Sequence, residues 1–177
     1  MTYVYQAVRR NKENQHNNRT DRKQYWEVVY DLDPYEEQKI IDSIKRRVSH
    51  KPGVWRIYRS VNKRDLVKSK LEMLEILTRS LVYPDHRKIE TMWRTTLMQP
   101  RNKAERLFLL DIDTRDIKLA ELESFIGREI IHMVKTPNGY HGIVEPFDPR
   151  LVENIENVEV KKDAFLFRDI FEIKEEE

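Results

Sequence analysis

Cysteine is absent from the 177-residue chain. Its absence excludes disulfide bonds, thiolate metal sites and a cysteine nucleophile, and it fits a reducing compartment. The sequence also has no segment typical of a signal peptide and no apolar run of the roughly 18 residues that a membrane-spanning helix needs. We therefore expect a soluble, cytoplasmic protein with no membrane partner.

The chain also lacks an excess of one charge sign. Charged residues make up 36% of the sequence, yet the formal net charge is only +2, so no overall basic field demands a nucleic-acid partner. The first 23 residues are basic and the tail ends in three glutamates. This contrast is typical either of a phosphate-binding arm or of a solvated segment. The length suits one domain, which we expect to span residues 1–177.

Glycine is scarce, because the chain has only four, and two of them, Gly139 and Gly142, flank His141. The preceding Pro137-Asn138-Gly139 predicts a hairpin, since Asn-Gly accepts positive φ. A histidine beside such a turn lies near a strand end, where it can hydrogen-bond a phosphate or transfer a proton. In the alternative interpretation, Gly139 is only a turn residue, Gly142 forms a bulge and His141 is a half-exposed strand residue.

Seven segments have the alternating or β-branched and aromatic pattern of strands. They are residues 2–9, 24–32, 54–61, 106–113, 129–135, 140–147 and 163–173. A polar stretch at 11–23 without aliphatic residues predicts a loop. The sequence therefore predicts an α+β fold, in which helices pack on a mostly antiparallel sheet.

Helices are predicted mainly in the first half of the chain. The predicted segments are residues 36–48, a long helix that starts at Asp65, 85–98, and a short helix at 118–126 that Gly127 closes. The long helix has an apolar stripe at helical spacing, which we expect to be buried. This stripe comprises Val67, Leu71, Leu74, Thr78 and Leu81.

Two acids follow the apolar strand RLFLLDID at 106–113. Asp111 and Asp113 project from the same face, because side chains alternate along a strand. Two carboxylates at the end of a buried strand are costly unless they are paired, hydrated or bound to a cation. They suit Mg²⁺ or Mn²⁺, which take carboxylate and phosphate oxygens. In the alternative interpretation the strand simply ends at Asp113.

A third acid, Asp169, lies in the apolar strand FLFRDIF. Regular alternation puts it on the same face as Phe165, Phe167 and Phe171. An acid among phenylalanines needs a partner, and a metal shared with the two earlier aspartates would provide one. The alternative is a salt bridge to an arginine. Asp163 has the same phase and is the second candidate for a third metal ligand.

These segments resemble the three-motif signature of the archaeo-eukaryotic primase superfamily: an apolar strand ending in D-x-D, a small residue two positions before histidine, and a later aspartate. In order, they correspond to Asp111 and Asp113, to Gly139-Tyr140-His141, and to Asp169. Glycine stands where serine is more usual. The resemblance covers about residues 105–173. It implies an RRM-like catalytic part over 101–177, preceded by a strand and helix module over 1–100.

The resemblance also implies a metal-dependent nucleotidyltransferase, a primase or polymerase that acts on nucleoside triphosphates and a single-stranded DNA or RNA template. Asp111, Asp113 and Asp169 would hold Mg²⁺ or Mn²⁺. His141 would contact the phosphates of the incoming nucleotide. The other candidates for nucleotide binding are Gly139, Tyr140, Lys135 and Arg56. A replication protein is a candidate partner.

Two other classes of function remain open. A non-catalytic RRM-like module would bind nucleic acid and keep the acids for structure. A metal-dependent nuclease or other phosphotransfer enzyme could use the same carboxylates and histidine. The basic segment RIYRSVNKRD at 56–65 predicts either phosphate or template contacts or a plain strand-to-helix junction capped by Asn62 or Asp65.

Overall fold

The structure, a computed structural model, describes residues 1–9, 23–30, 36–82 and 89–174. The predicted loop at 11–23 lies outside these ranges except for its last residue, as do the acidic tail and the start of the predicted helix at 85–98. The strands are β1 (Thr2–Arg9), β2 (Lys23–Tyr30), β3 (Gly53–Ser60), β4 (Phe108–Ile112), β5 (Ile130–Lys135), β6 (Tyr140–Val144), β7 (Val158–Lys161) and β8 (Phe165–Ile173). The helices are α1 (Glu37–Val48), α2 (Leu66–Val82), α3 (Ile89–Leu97) and α4 (Leu119–Ile126).

The strands form two antiparallel sheets rather than one. The first sheet has the order β2-β1-β3-β8, and the second has the order β5-β6-β4-β7. The predicted α+β class is therefore confirmed, and each of the seven predicted strands has a counterpart in the structure. β7 was not predicted, although it pairs with the central strand of the second sheet.

Helix α1 covers one face of the first sheet. Its buried residues Ile41, Ile44 and Val48 follow the predicted helical spacing. They pack against Trp55 and Ile57 of β3. Because side chains alternate along a strand, the neighbours of Ile57 in β3 project from the opposite face of the sheet.

Helix α2 does not bury the predicted stripe. Val67, Leu71 and Leu74 are 69%, 63% and 59% exposed, whereas Ser69 and Met73 on another face of the helix are buried. The expectation of a buried stripe was therefore wrong for these three residues. The sequence shows an apolar face, but the structure packs a different face against the rest of the chain.

The second sheet has one face covered by α4. Leu110 and Ile112 of β4 pack against Leu122 and Ile126 of that helix. Gly127 ends α4 with a left-handed backbone at φ 64°, as the sequence predicted.

The other face of the second sheet meets the start of β8. Leu109 of β4 and Ile143 of β6 form a buried cluster with Ala164 and Leu166. This cluster joins the two sheets at one end. A cleft lies beside it, with polar residues of both sheets on its walls.

Among the described helices, none is both long and apolar enough to cross a membrane.

Candidate functional site

The cleft between the two sheets has a volume of about 780 Å³. The wall formed by the second sheet includes Leu109, Asp111, Asp113, His141, Glu159 and Lys161. The wall formed by the first sheet includes Gln6, Arg56, Tyr58, Phe165 and Phe167. The hairpin residues Thr136 and Asn138 border the same space. Both acids of the D-x-D pair thus line one cleft, as expected from their shared face.

Asp111 and His141 are direct partners in the pairing of β4 with β6. His141 Nε2 lies 3.2 Å from Asp111 Oδ1, and His141 Nδ1 accepts a hydrogen bond of 3.0 Å from the backbone N–H of Phe167. A ring nitrogen that accepts a hydrogen bond carries no proton. The proton of the neutral ring is therefore on Nε2, and His141 donates it to Asp111.

Lys161 approaches the same carboxylate from the other neighbouring strand, β7. Its Nζ lies 2.5 Å from Asp111 Oδ2 and 3.1 Å from Oε2 of Glu159. The hydrogen bond from His141, aided by Lys161, lowers the pKa of Asp111 to about 2. The acid is thus ionised at neutral pH, with both of its oxygens already in contact with donors.

Glu159 is a carboxylate that the sequence analysis did not single out. It lies directly opposite Asp111 in the pairing of β4 with β7, and it lines the cleft. Opposite residues of paired strands project from the same face. Glu159 was missed because its strand was not predicted. The segment VEVK at 158–161 is too short for its alternation to be recognised as a strand.

Asp169 does not join the aspartates of β4. The register between β3 and β8 shifts by one residue, so that Ile57 lies opposite Asp169 while Tyr58 lies opposite Phe167. Such a bulge interrupts the alternation of side chains. Asp169 therefore shares the α1-covered face with Ile57, where it forms a 2.7 Å salt bridge with Lys45 of α1. The expectation that Asp169 shares a face with Phe165 and Phe167 was wrong.

Asp163, the second candidate for a third ligand, lines the cleft. Its carboxylate accepts two hydrogen bonds from Arg64, of 2.6 and 3.3 Å. Arg64 is fully buried. A buried guanidinium needs this partner, so the geometry favours a structural role for Asp163.

Gly139 is required by a close backbone approach rather than by positive φ. A Cβ atom here would lie 1.9 Å from the carbonyl oxygen of Ile112, at the end of β4. Among described residues, Gly139 is not one of the glycines with positive φ, so the expected Asn-Gly turn conformation was wrong. Thr136 closes the hairpin, because its hydroxyl accepts the N–H of Gly139 at 3.0 Å.

Gly142 faces away from the cleft. A Cβ atom there would lie 3.3 Å from Ile130 Cγ2 and 3.6 Å from Cβ of Leu110, both on the side of the sheet that α4 covers. The residue leaves space for core packing, not for a ligand. No register shift occurs at Gly142 in the β4–β6 pairing, so it does not form a bulge in that ladder.

The remaining nucleotide-binding candidates divide between the two faces. Tyr140 packs with the α4-side core, and Lys135 lies opposite Tyr140 in the β5–β6 pairing. Both therefore project away from the cleft. Arg56 lies on the opposite wall of the cleft from Asp111, beside Tyr58, whose ring meets Phe167 edge-on at 5.9 Å.

Most of the basic segment at 56–65 has a structural role. Buried Asn62 bonds both backbone groups of Leu107, at 3.1 and 2.6 Å. Arg59 pairs with Glu37 of α1. The Asp65 carboxylate accepts the N–H of Lys68, as a helix cap does. Only Arg56 and Tyr58 of this segment line the cleft.

No group of three or more His, Asp or Glu side chains in the described ranges is arranged to hold a metal ion. The candidate cation site is the space between Asp111 and Glu159, where the Lys161 ammonium contacts both carboxylates. Oxygen donors of this kind suit Mg²⁺ or Mn²⁺. A divalent ion would have to replace the ammonium group there.

Comparison with protein families, with curated proteins and with solved structures finds no match. The cleft combines an ionised aspartate that accepts a hydrogen bond from His141, further acids on the same wall and an arginine opposite. Together these groups can bind a phosphate group and a cation.

Proposed function

We propose that this chain is a metal-dependent nucleotidyltransferase of the primase-polymerase type, which acts on nucleoside triphosphates and a nucleic-acid template. The observation that carries the proposal is the contact between Asp111 and His141 inside the cleft. These residues belong to two motifs that are 30 positions apart in sequence, and the pairing of β4 with β6 makes them neighbours.

The connectivity of the second sheet supports the proposed similarity to primase-polymerase proteins. Its elements follow the order β4, α4, β5, β6, a 3₁₀ turn (Pro149–Val152) and β7. The spatial order is β5-β6-β4-β7. We assign this as an RRM-like β-α-β-β-α-β arrangement whose second helix is reduced to the turn. In this assignment, the D-x-D pair and the histidine project from the two central strands.

Asp111 and Glu159 are the residues that would hold Mg²⁺ or Mn²⁺, and Asp113 lines the same cleft. A magnesium ion commonly takes one or two protein carboxylates and completes its coordination with substrate phosphates. Asp169 does not contribute, because it lies on the face that α1 covers. When bound, the ion would neutralise phosphate charge and help to activate a 3′-hydroxyl. The contact of Lys161 with two carboxylates supports binding of a metal ion here, since the space between Asp111 and Glu159 already accommodates a positive charge.

The residues of this chain would then have separate tasks. His141 orients Asp111, and the hydrogen bond from the Phe167 N–H to Nδ1 keeps the proton on Nε2. Arg56 on the opposite wall offers positive charge to a phosphate. Tyr58 and Phe167 form an aromatic pair at the cleft, which suits stacking with a base.

One observation favours a second candidate, a non-catalytic nucleic-acid-binding module. Asp111 already has both oxygens in contact with donors, His141 and Lys161. A cleft with its acid satisfied in this way could bind a phosphate backbone without a metal ion. The two candidates differ in whether the acid is needed for a reaction.

Incorporation of labelled nucleotides on a primed or unprimed single-stranded template, with Mg²⁺ or Mn²⁺, tests the proposal. We expect wild type to incorporate nucleotides and Asp111→Asn to lose activity. Asp169→Asn is the matched control, since it removes an acid that lies outside the cleft. Template binding without incorporation would favour the non-catalytic candidate, and template degradation would favour a nuclease.

A further inference from the structure

Helix α2 carries an exposed apolar ridge, which we define as Val67, Leu71, Leu74 and Thr78. The three aliphatic members are 69%, 63% and 59% exposed. The opposite side of the helix is occupied, since Ser69 and Met73 are buried. Within the part of the chain that the structure describes, the ridge is therefore not covered.

The spacing of the ridge is that of a coiled-coil seam. Its members are separated by four, three and four residues, which are the intervals of alternating d and a positions in a heptad. Leu81 continues the interval in the sequence. A seam of this kind packs against another helix, because each side chain fits between side chains of the partner.

A shallow apolar groove runs beside the ridge, between α2 and α3. Its lining includes Met73, Leu77 and Trp93. Ile89, at the start of α3, also lines the groove and is 66% exposed. The apolar surface therefore extends over two helices, which is more than scattered surface residues would give.

We propose that the ridge is the contact surface for a second copy of this chain, with the two α2 helices antiparallel and a two-fold axis between Leu71 and Leu74. In this arrangement Leu71 of one copy lies in the same layer as Leu74 of the other. Val67 lies in the same layer as Thr78. Every ridge residue thus has a partner, as an isologous interface requires.

Under this two-fold symmetry, the charged residues beside the ridge of one copy face residues of opposite charge in the other. Lys68 and Glu75 occupy e positions on one side of the seam. Antiparallel pairing brings e positions together, so Lys68 of each copy lies opposite Glu75 of the other. The dimer therefore gains two reciprocal ion pairs, and the antiparallel helix dipoles also attract.

Both charged groups are available for exchange. Lys68 Nζ donates to the carbonyl oxygen of Arg101, and Glu75 pairs with Arg79 one turn along the helix. All of these contacts are exposed, and exposed pairs contribute little to stability. Exchange of these contacts for ion pairs with a second copy would therefore cost little free energy.

Sedimentation velocity of the full chain over a wide concentration range tests the proposal. Wild type should form dimers, and Leu71→Glu should be monomeric. Leu71→Glu should melt at the temperature of wild type diluted until it is also monomeric, because residue 71 is exposed in the single chain. Lys68→Glu should weaken dimerisation by about tenfold or more, as like charges then face each other twice. Lys68→Glu combined with Glu75→Lys should restore it.

Lys70→Glu is the matched control. It removes the same charge from the same helix, but the antiparallel arrangement places residue 70 opposite Leu77 rather than opposite an acid. Dimerisation should therefore persist. A monomeric wild type at all concentrations would overturn the proposal. Dissociation by Lys70→Glu instead of Lys68→Glu, or no rescue by the double exchange, would overturn the antiparallel arrangement.

Discussion

His141 Nε2 lies 3.2 Å from Oδ1 of Asp111, and the two residues are direct partners across the central strands of the second sheet. Sequence motifs that lie far apart thus form one unit in the cleft. Lys161, in the neighbouring strand β7, completes this unit. The unit explains why Asp111 is ionised and held in one orientation.

The stabilising effect of Asp111 should depend on pH. Its pKa is about 2 in the folded chain, against about 3.9 in an unfolded chain. A lowered pKa stabilises the fold above about pH 4, and this stabilisation is lost as the pH falls through the folded value. We expect Asp111→Asn to reduce the free energy of unfolding by about 1–2 kcal/mol at pH 7, after allowance for partial exposure.

Urea unfolding of wild type and Asp111→Asn at pH 7 and near pH 3 measures this dependence. The difference between the two proteins should shrink at the lower pH. An equal difference at both pH values would mean that the charge of Asp111 does not stabilise the fold.

Asp169→Asn should leave any metal-dependent activity of the cleft unchanged. The residue pairs with Lys45 on the face that α1 covers, so its loss should also reduce stability by less than about 1 kcal/mol. Activity assays and thermal melting check both points. Loss of activity with an unchanged melting temperature would return Asp169 to the site.

The two glycines beside His141 should respond differently to alanine. Gly139→Ala places Cβ against the backbone oxygen of Ile112, which cannot move aside, so we expect a loss above about 3 kcal/mol. The closest contact of the new Cβ in Gly142→Ala is the Ile130 side chain at 3.3 Å, so its stability should stay within about 1 kcal/mol of wild type. Chemical denaturation compares them, and equal losses would contradict the close approach at Gly139.

Lys161→Met should strengthen Mn²⁺ binding. The ammonium group lies between Asp111 and Glu159, so its removal frees two carboxylates and relieves repulsion of an incoming ion. We expect an affinity gain of about tenfold, measured by electron paramagnetic resonance of free Mn²⁺. Lys118→Met, at an exposed lysine before α4, is the control. Unchanged or weaker binding in Lys161→Met would mean that this lysine does not compete with the ion.

Much of the fold could be predicted from local patterns. The strands around Trp55 and Leu109, the spacing of Ile41 and Ile44 in α1, and the cap at Gly127 all follow from periodicity and backbone preference. The joint location of Asp111 and Asp113 followed from strand alternation in the same way.

The remaining features depend on contacts that no local pattern records. The bulge that turns Asp169 towards α1 arises in the pairing of β8 with β3. The role of Gly139 depends on the backbone of β4, which is distant in sequence. Lys161 enters the site only because the short strand β7 pairs beside Asp111. The division of the strands into two sheets likewise depends on tertiary contacts.

Titration calorimetry with a non-hydrolysable nucleoside triphosphate, with and without Mn²⁺, tests the central claim most directly. The claim is that the cleft binds a triphosphate and a metal ion together through Asp111. Wild type and Asp169→Asn should bind one triphosphate per chain with Mn²⁺ and far more weakly without it, and Asp111→Asn should lose the Mn²⁺-dependent binding. Binding that is equally tight without Mn²⁺, or unchanged in Asp111→Asn, would contradict the claim.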